Sequence, residues 1–336
     1  MNNQSTPNWW KQLIRPILVL APMADVTDCA FRRIIAKYGK PDVMFTEFVS
    51  ADGLCCGGKE RMLIDLKFDP SERPIVAQFF SANPEYMYRA ALLAQELGFD
   101  GVDINMGCPD KKVCKQGSGA ALIQNPALAK QIIRETKRGA GTLPVSVKTR
   151  LGYNKIEIDE WLPHLLEDEP AVITLHARTK KELSEVNAHW EVMTQASKMA
   201  ESSATLIIGN GDVGNIREAQ KLALETGLAG IMLGRAIFGN PWLFNRQLDI
   251  SQISLEQKLS VLIEHTALFE KLLGGKKNFA VMKKHYQAYV SDFPGAKDLR
   301  IKLMECESAA EVSEQVNRFL DFQLNAPKNN LLMNYG

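Results

Sequence analysis

Eight short runs rich in β-branched residues recur along this chain at spacings of about 25 to 40 residues. They are Ile17–Leu20, Val43–Thr46, Ile75–Phe79, Gly101–Asn105, Val145–Thr149, Ala171–His176, Thr205–Asn210 and Ala229–Leu233. Between them lie segments with the apolar period of helices: Asp28–Tyr38, Pro84–Leu97, Pro126–Arg138, Glu157–Leu166, Trp190–Ala200 and Asn215–Thr226. Asn83-Pro84, Asn125-Pro126 and Asn240-Pro241 read as helix starts, each a capping side chain followed by Pro in the first turn. Strand, helix and strand in succession make a parallel βα unit. Eight such units over about 230 residues predict a TIM (β/α)8 barrel rather than a doubly wound sheet. One unit is thinner than the rest, because Ala51–Pro74 reads mostly as loop.

Beyond Leu248 the strand runs stop. Leu255–Leu273, Asn278–Val290, Asp298–Glu305 and Ser308–Asn325 read as amphipathic helices, separated by Gly274-Gly275 and Phe293-Pro294-Gly295. The expected fold is α/β: a TIM barrel over residues 13–248, then a small all-α helical domain over 249–325. Residues 1–12 read as a disordered lead and 326–336 as a loose tail. A chain of 336 residues with 46% hydrophobic and 24% charged content is ordinary for a globular protein and has room for both domains. No apolar run is long enough to span a bilayer, and the polar, uncharged start is no secretory leader. Six cysteines without zinc-finger or CxxC spacing, and five scattered histidines, predict reduced thiols, no metal and a cytoplasmic protein. A monomer with no membrane contact is expected.

Net charge is only +1, yet it is unevenly spread. Between Lys271 and Lys302 stand the bases Lys271, Lys276, Lys277, Lys283, Lys284, Lys297, Arg300 and Lys302, against the acids Asp292 and Asp298. His285, Tyr286 and Tyr289 lie among them. A solvated helix face and a surface for phosphate backbones both account for that surplus.

In a barrel the chemistry sits at the C-terminal ends of the strands. Here those ends carry Ala21-Pro22-Met23-Ala24, Gln78, Asn105 with Cys108, Lys148 with Arg150, His176 with Arg178, Gly209-Asn210-Gly211-Asp212, and Gly234-Arg235. Amides, cations and a thiol dominate, with little carboxylate. Such a set does not suit paired-carboxylate catalysis or a metal site; it suits an anionic flavin. The glycines near the last two ends let backbone N–H groups approach a phosphate, which Arg235 can pair. Lys148 can neutralise charge at the N1–O2 edge of a reduced flavin, and Gln78 offers a donor and an acceptor to its pyrimidine edge. A lone cysteine is most often a small buried hydrophobe, which serves for Cys29, Cys55, Cys56, Cys114 and Cys306. Cys108 differs, because Gly107 and Pro109 fix it in a turn directly after a strand.

These residues resemble the tRNA-dihydrouridine synthases, flavoenzymes of the TIM-barrel class. The resemblance runs from Ala21-Pro22-Met23 into the helical part. It rests on Asn105-Met106-Gly107-Cys108-Pro109 with Val113 and Gly117–Leu122, Val147-Lys148-Thr149-Arg150, His176-Ala177-Arg178-Thr179, Gly209-Asn210-Gly211-Asp212 and Leu233-Gly234-Arg235-Ala236. It implies an enzyme that reduces the C5=C6 bond of specific uridines in tRNA. FMN would be held by Pro22, Met23, Ala24, Gln78, Lys148, His176, Asn210, Gly211, Asp212, Gly234 and Arg235, with NADPH or NADH as reductant. Reduced FMN would give a hydride to C6, Cys108 would give the proton to C5, and Asn105 would touch the target uracil. A thiol near its reference pKa of about 8.5 is protonated at neutral pH, as an acid requires. The target base must leave its stack to lie on the flavin. Arg178, Lys283 and Lys284 are the expected tRNA contacts. The chain departs from the family where many members have Tyr-x-Gly-x-Ala-x-Trp: Ser184 and Val186 stand for the Tyr and Gly, while Ala188 and Trp190 remain.

Two other readings use the same residues. Flavin-dependent dihydroorotate dehydrogenases also set a Cys near FMN, as a base, but need neither an RNA surface nor a helical domain. Bleaching of the oxidised flavin by dihydroorotate would mark that class. A non-catalytic tRNA-binding barrel would purify colourless.

Overall fold

The computed structural model describes residues 8–325, so the expected tail at 326–336 lies outside the described residues. Nine strands form one parallel sheet: β1 (Ile17–Leu20), β2 (Met44–Phe45), β3 (Val49–Ser50), β4 (Ile75–Phe80), β5 (Gly101–Met106), β6 (Val145–Arg150), β7 (Val172–His176), β8 (Leu206–Asn210) and β9 (Gly230–Leu233). The neighbour order is β1-β9-β8-β7-β6-β5-β4-β2, with β3 pairing β4 beyond the end of β2. A parallel bridge between Val19 and Val43 joins β1 to the β2 edge, and Leu20 N–H donates to the Val43 carbonyl at 3.1 Å. The ring is the expected eight-stranded TIM barrel.

Helices between the strands start where capping side chains dictate. Asp28, Asn83, Asn125 and Asn215 accept from Phe31, Glu85, Leu128 and Glu218 N–H at 2.9, 3.0, 3.2 and 2.9 Å. Asn240-Pro241 instead opens a run of turns, because Trp242, Leu243 and Phe244 are all buried and leave no polar helix face. The stretch expected to be mostly loop holds the short helices Ala51–Cys55 and Lys59–Met62 and a 3-10 turn at Pro70–Glu72. Helices of five and four residues are too short to show an apolar period. Buried Arg32 ties this stretch down, donating to Glu72 at 2.6 Å and to the Lys67 carbonyl at 2.5 Å.

Strand side chains alternate between two environments. Leu18, Leu20, Ala77, Phe79, Ile104, Val147, Ile173 and Leu175 pack outward with the helices. Ile17, Val19, Phe45, Val76, Val172, Leu206 and Ile208 form an interior cluster with Trp10. Residues 8–12 therefore correct the expectation of a disordered lead. Trp9–Gln12 form a 3-10 turn, Trp10 is 1% exposed, and Trp9 donates to the Asp100 carbonyl at 2.7 Å. Trp10 packs on the first residues of several strands and seals the N-terminal end of the barrel.

The chain divides into two compact units. The barrel unit runs through residue 237 and takes in 242–246; the second unit holds 238–241 and the chain from 247. The second unit contains helices Leu255–Leu273, Val281–Tyr289, Ala296–Glu305 and Ala309–Asn325. Its core includes Leu262, Phe269, Met282, Tyr286, Leu303 and Val316. Two imidazoles also lie inside it, His265 and His285, with ring centroids 4.7 Å apart. Among the described residues no helix is long and apolar enough to cross a membrane.

Candidate active site

A cleft of about 930 Å³ opens at the C-terminal ends of the strands. Its lining includes Pro22, Met23, Lys148, His176, Asn210, Gly211, Asp212, Gly234 and Arg235, and also Pro109, Arg150 and Arg178. Four cationic side chains face one carboxylate there, so the cleft suits an anion. Its size lies in the usual range for a cofactor site. Ala24 is exposed and outside the lining; Gln78, Asn105 and Cys108 are also outside it.

The two glycines expected at a phosphate have different reasons to be glycine. Gly211 has φ +139°, and a Cβ there would sit 2.9 Å from Ala188 Cβ, so the chain itself requires it. At Gly234 a Cβ would meet Ala21 Cβ at 3.6 Å and Met23 Sδ at 3.8 Å, both ordinary contacts. Nothing in the protein's packing demands glycine at 234; its missing side chain leaves space in the cleft. That open cradle, beside Arg235 and a cationic lining, fits a phosphate-bearing group.

Asp212 organises the turn after β8. Its carboxylate accepts from both Arg178 and Arg235 and from Ala188 N–H at 3.1 Å. Burial opposes the charge, but the Arg178 guanidinium wins and holds Asp212 below the usual carboxylate range. Arg178 is 2% exposed; it also donates to the Val186 carbonyl at 2.8 Å and to His176 Nε2 at 3.2 Å. Expected from the sequence as a tRNA contact, Arg178 lies in the cleft wall, where its guanidinium braces the loop and the turn. His176 must accept at Nε2, so it is a neutral ring with its proton on Nδ1. Burial first, then Lys148, drives its pKa far down.

The same braces account for the altered loop. Arg178 holds it by the Val186 carbonyl and Arg150 by the Leu183 carbonyl at 3.1 Å, so the side chains at 184 and 186 are not what anchors it. Trp190 Nε1 donates to the Gly211 carbonyl at 3.0 Å, and Ala188 abuts Gly211. Both retained residues pack on the turn.

Inside the barrel, period-two alternation turns Asp103 and Asn105 of β5 toward Gln78 of β4 and Ser146 and Lys148 of β6. Asp103 and Gln78 are both 0% exposed. Gln78 Nε2 donates to Asp103 at 2.7 Å, and Asn105 Nδ2 donates to Gln78 Oε1 at 3.0 Å. Asn105 Oδ1 accepts from Gly107 N–H at 3.1 Å and Cys108 N–H at 2.8 Å. The amides expected at a flavin edge and at a uracil thus serve one another and the cysteine turn. Burial pushes the Cys108 thiol up from its ordinary value. Burial lowers Lys148 to about 8, with Arg150 adding to the effect, and raises Asp103 to about 6. Lys148 Nζ donates to Asn210 Oδ1 at 3.3 Å. Sequence reasoning gave no role to Asp103 or Ser146 and placed Arg150 at a strand end without one; a carboxylate inside a buried parallel strand was the available signal.

In the helical unit Lys283 is half-buried and Lys284 exposed. Arg300 is engaged by the Val290 carbonyl at 2.9 Å. His285, Tyr286 and Tyr289 face the helical core, so they offer no stacking surface among the bases.

The model of the family "Dihydrouridine synthase (Dus)" matches residues 19–325. A "Probable tRNA-dihydrouridine synthase 2" from Bacillus subtilis is 40% identical over 319 residues, covering 94% of this chain and 97% of that protein. A "Probable tRNA-dihydrouridine synthase" from Staphylococcus aureus is 38% identical over 317 residues, covering 93% and 95%. Among solved structures, a 6-hydroxypseudooxynicotine amine oxidase from Pseudomonas geniculata matches with TM-score 0.53 and 13% identity, over 83% of this chain and 54% of that one. Histamine dehydrogenase from a Rhizobium species matches with TM-score 0.50 and 12% identity, over 75% and 48%. These distant structures share the fold alone. The chain belongs to the dihydrouridine synthase family of oxidoreductases.

Proposed function

We propose that this enzyme reduces the C5=C6 bond of uridines in tRNA, with FMN in the strand-end cleft, a nicotinamide nucleotide as reductant and Cys108 as the acid. The observation that carries the reading is the cationic cleft with an open cradle at Gly234, whose wall includes Pro109, the residue next to Cys108. When bound, the flavin supplies the hydride for C6. The phosphate end is assigned to Gly234 and Arg235. Lys148, a half-buried ammonium, offsets negative charge that develops beside it. His176, neutral and with Nδ1–H free of Arg178, offers a hydrogen-bond donor. Cys108 holds the proton for C5: burial keeps its thiol protonated at neutral pH, and Asn105 fixes the backbone from which it projects. Lys283 and Lys284 are assigned to tRNA phosphates on the helical unit.

The test separates two half-reactions. Cys108→Ala should leave oxidation of NADPH by the loaded enzyme intact and slow dihydrouridine formation by about 10²–10⁴-fold. Unchanged dihydrouridine formation removes Cys108 from the mechanism; equal loss of both half-reactions assigns it a structural role.

A further inference from the structure

We propose that Asp103 is a positioning residue for Cys108: its carboxylate sets the direction of a buried chain of amides that ends on the Cys108 N–H. The inference rests on Cys108 being the acid, but its geometry stands apart from that reading. Each link has one permitted polarity. A carboxylate only accepts, so Gln78 must turn its NH2 toward Asp103, at 2.7 Å. That leaves Gln78 Oε1 to accept from Asn105 Nδ2 at 3.0 Å. Asn105 Oδ1 is then left for the Gly107 and Cys108 N–H groups at 3.1 and 2.8 Å. Those N–H groups only donate, so the direction that the carboxylate imposes is the one the cysteine turn requires. Asp103 and Gln78 are fully buried and Asn105 is 6% exposed, so water does not relax the rule. The other Asp103 oxygen takes the Ser146 hydroxyl.

Asp103→Asn puts an uncharged amide at this position and removes the polarity without changing the volume. The new amide can offer Gln78 either its oxygen, with its NH2 on the Ser146 hydroxyl, or its NH2. In the second arrangement Gln78 turns its own NH2 to Asn105, Asn105 sets an NH2 against two N–H donors, and the turn carrying Cys108 loses its acceptor. Moving the carboxylate one link along restores the chain. With Asp103→Asn and Gln78→Glu together, the carboxylate now at position 78 accepts from the amide at position 103 and from Asn105, and Asn105 keeps its orientation.

The experiment reads the thiol directly. Purified variants are treated with iodoacetamide, and alkylation is followed at the Cys108 peptide by mass spectrometry. Asp103→Asn should change the Cys108 alkylation rate by about tenfold, as expected for a displaced reactive group, and the double variant should return it to within about twofold of wild type. Gln78→Glu alone sets two carboxylates face to face and should also disturb the rate. An Asp103→Asn rate equal to wild type overturns the proposal. So does a double variant no closer to wild type than either single one, which also decides the matter if Asp103→Asn fails to fold. Single-turnover dihydrouridine formation is measured in parallel. If it is indifferent to Cys108→Ala while alkylation follows the pattern above, the functional reading fails and the positioning chain stands.

Discussion

Gly209 supports the turn at the rim of the cleft without touching any ligand. It lies in β8, on the face away from the barrel interior. A Cβ there would stand 2.7 Å from Trp190 Cζ3, 2.8 Å from Leu228 Cδ1 and 2.9 Å from Trp190 Cη2. Carbon contacts normally lie at about 3.5–4.0 Å, so Gly209→Ala must push the indole by the better part of an ångström. Overpacking of this kind costs roughly 1–3 kcal/mol. The same indole donates to the Gly211 carbonyl at 3.0 Å, and weakening that bond adds about 1 kcal/mol. The sum, about 2–4 kcal/mol, should lower Tm by roughly 5–15 °C for a unit of this size. Thermal unfolding followed by circular dichroism measures it. In a Trp190→Leu background the ring is gone, and the cost of Gly209→Ala should fall by about 1–2 kcal/mol. A Gly209→Ala protein melting within about 1 °C of wild type would refute the packing argument. An equal cost with and without the ring would do the same.

Gly234→Ala separates stability from ligand binding: the Tm of the flavin-free protein should hold within about 1 °C, because its Cβ meets only ordinary contacts, while flavin retained through gel filtration falls. A lowered Tm with flavin retained contradicts the assignment of an open cradle. Replacing Lys283 and Lys284 by Glu should reduce the log–log salt slope of tRNA affinity by roughly 0.7–0.9 per lost contact, with the NADPH half-reaction unchanged. Superimposable salt series would move the RNA surface elsewhere. Burial raises the Cys108 pKa, so its thiol keeps its proton to higher pH than a free thiol. Lys148, at about 8, titrates in the same range and would alter the reduction rate, so the thiol is read directly: alkylation of the Cys108 peptide by iodoacetamide should rise with a midpoint above about 8.5, the reference value. A midpoint below that pH excludes a thiol raised by burial.

The barrel was legible because a parallel strand buried on both faces is written as an apolar run, and each such run lies within two residues of a strand. The second run was the exception: only Met44 and Phe45 pair as a strand there, and the chain regains β4 at Val49. Which residues stand at strand ends was equally readable, since it follows from where the runs stop. What those side chains do was not. Arg178 looks like a cation reaching outward until its partners, 8 and 34 residues away, are known. Tyr286 sits among lysines in sequence and among apolar side chains in space, because successive residues on a helix lie about 100° apart. The roles of Asn105 and Gln78 depended on a carboxylate that no motif singled out.

The Trp10 seal has a kinetic consequence. The barrel interior is filled by the strands' own side chains, with Trp10 packed beneath them, so the cleft at the strand ends has one mouth. On the proposed function, a nicotinamide donor and a flipped nucleoside must therefore take turns at that entrance. Steady-state rates at several fixed tRNA concentrations should then give parallel double-reciprocal lines against the donor. Excess donor should compete with tRNA for the same opening, and the traffic rule would trace back to a packed barrel floor that touches neither of them.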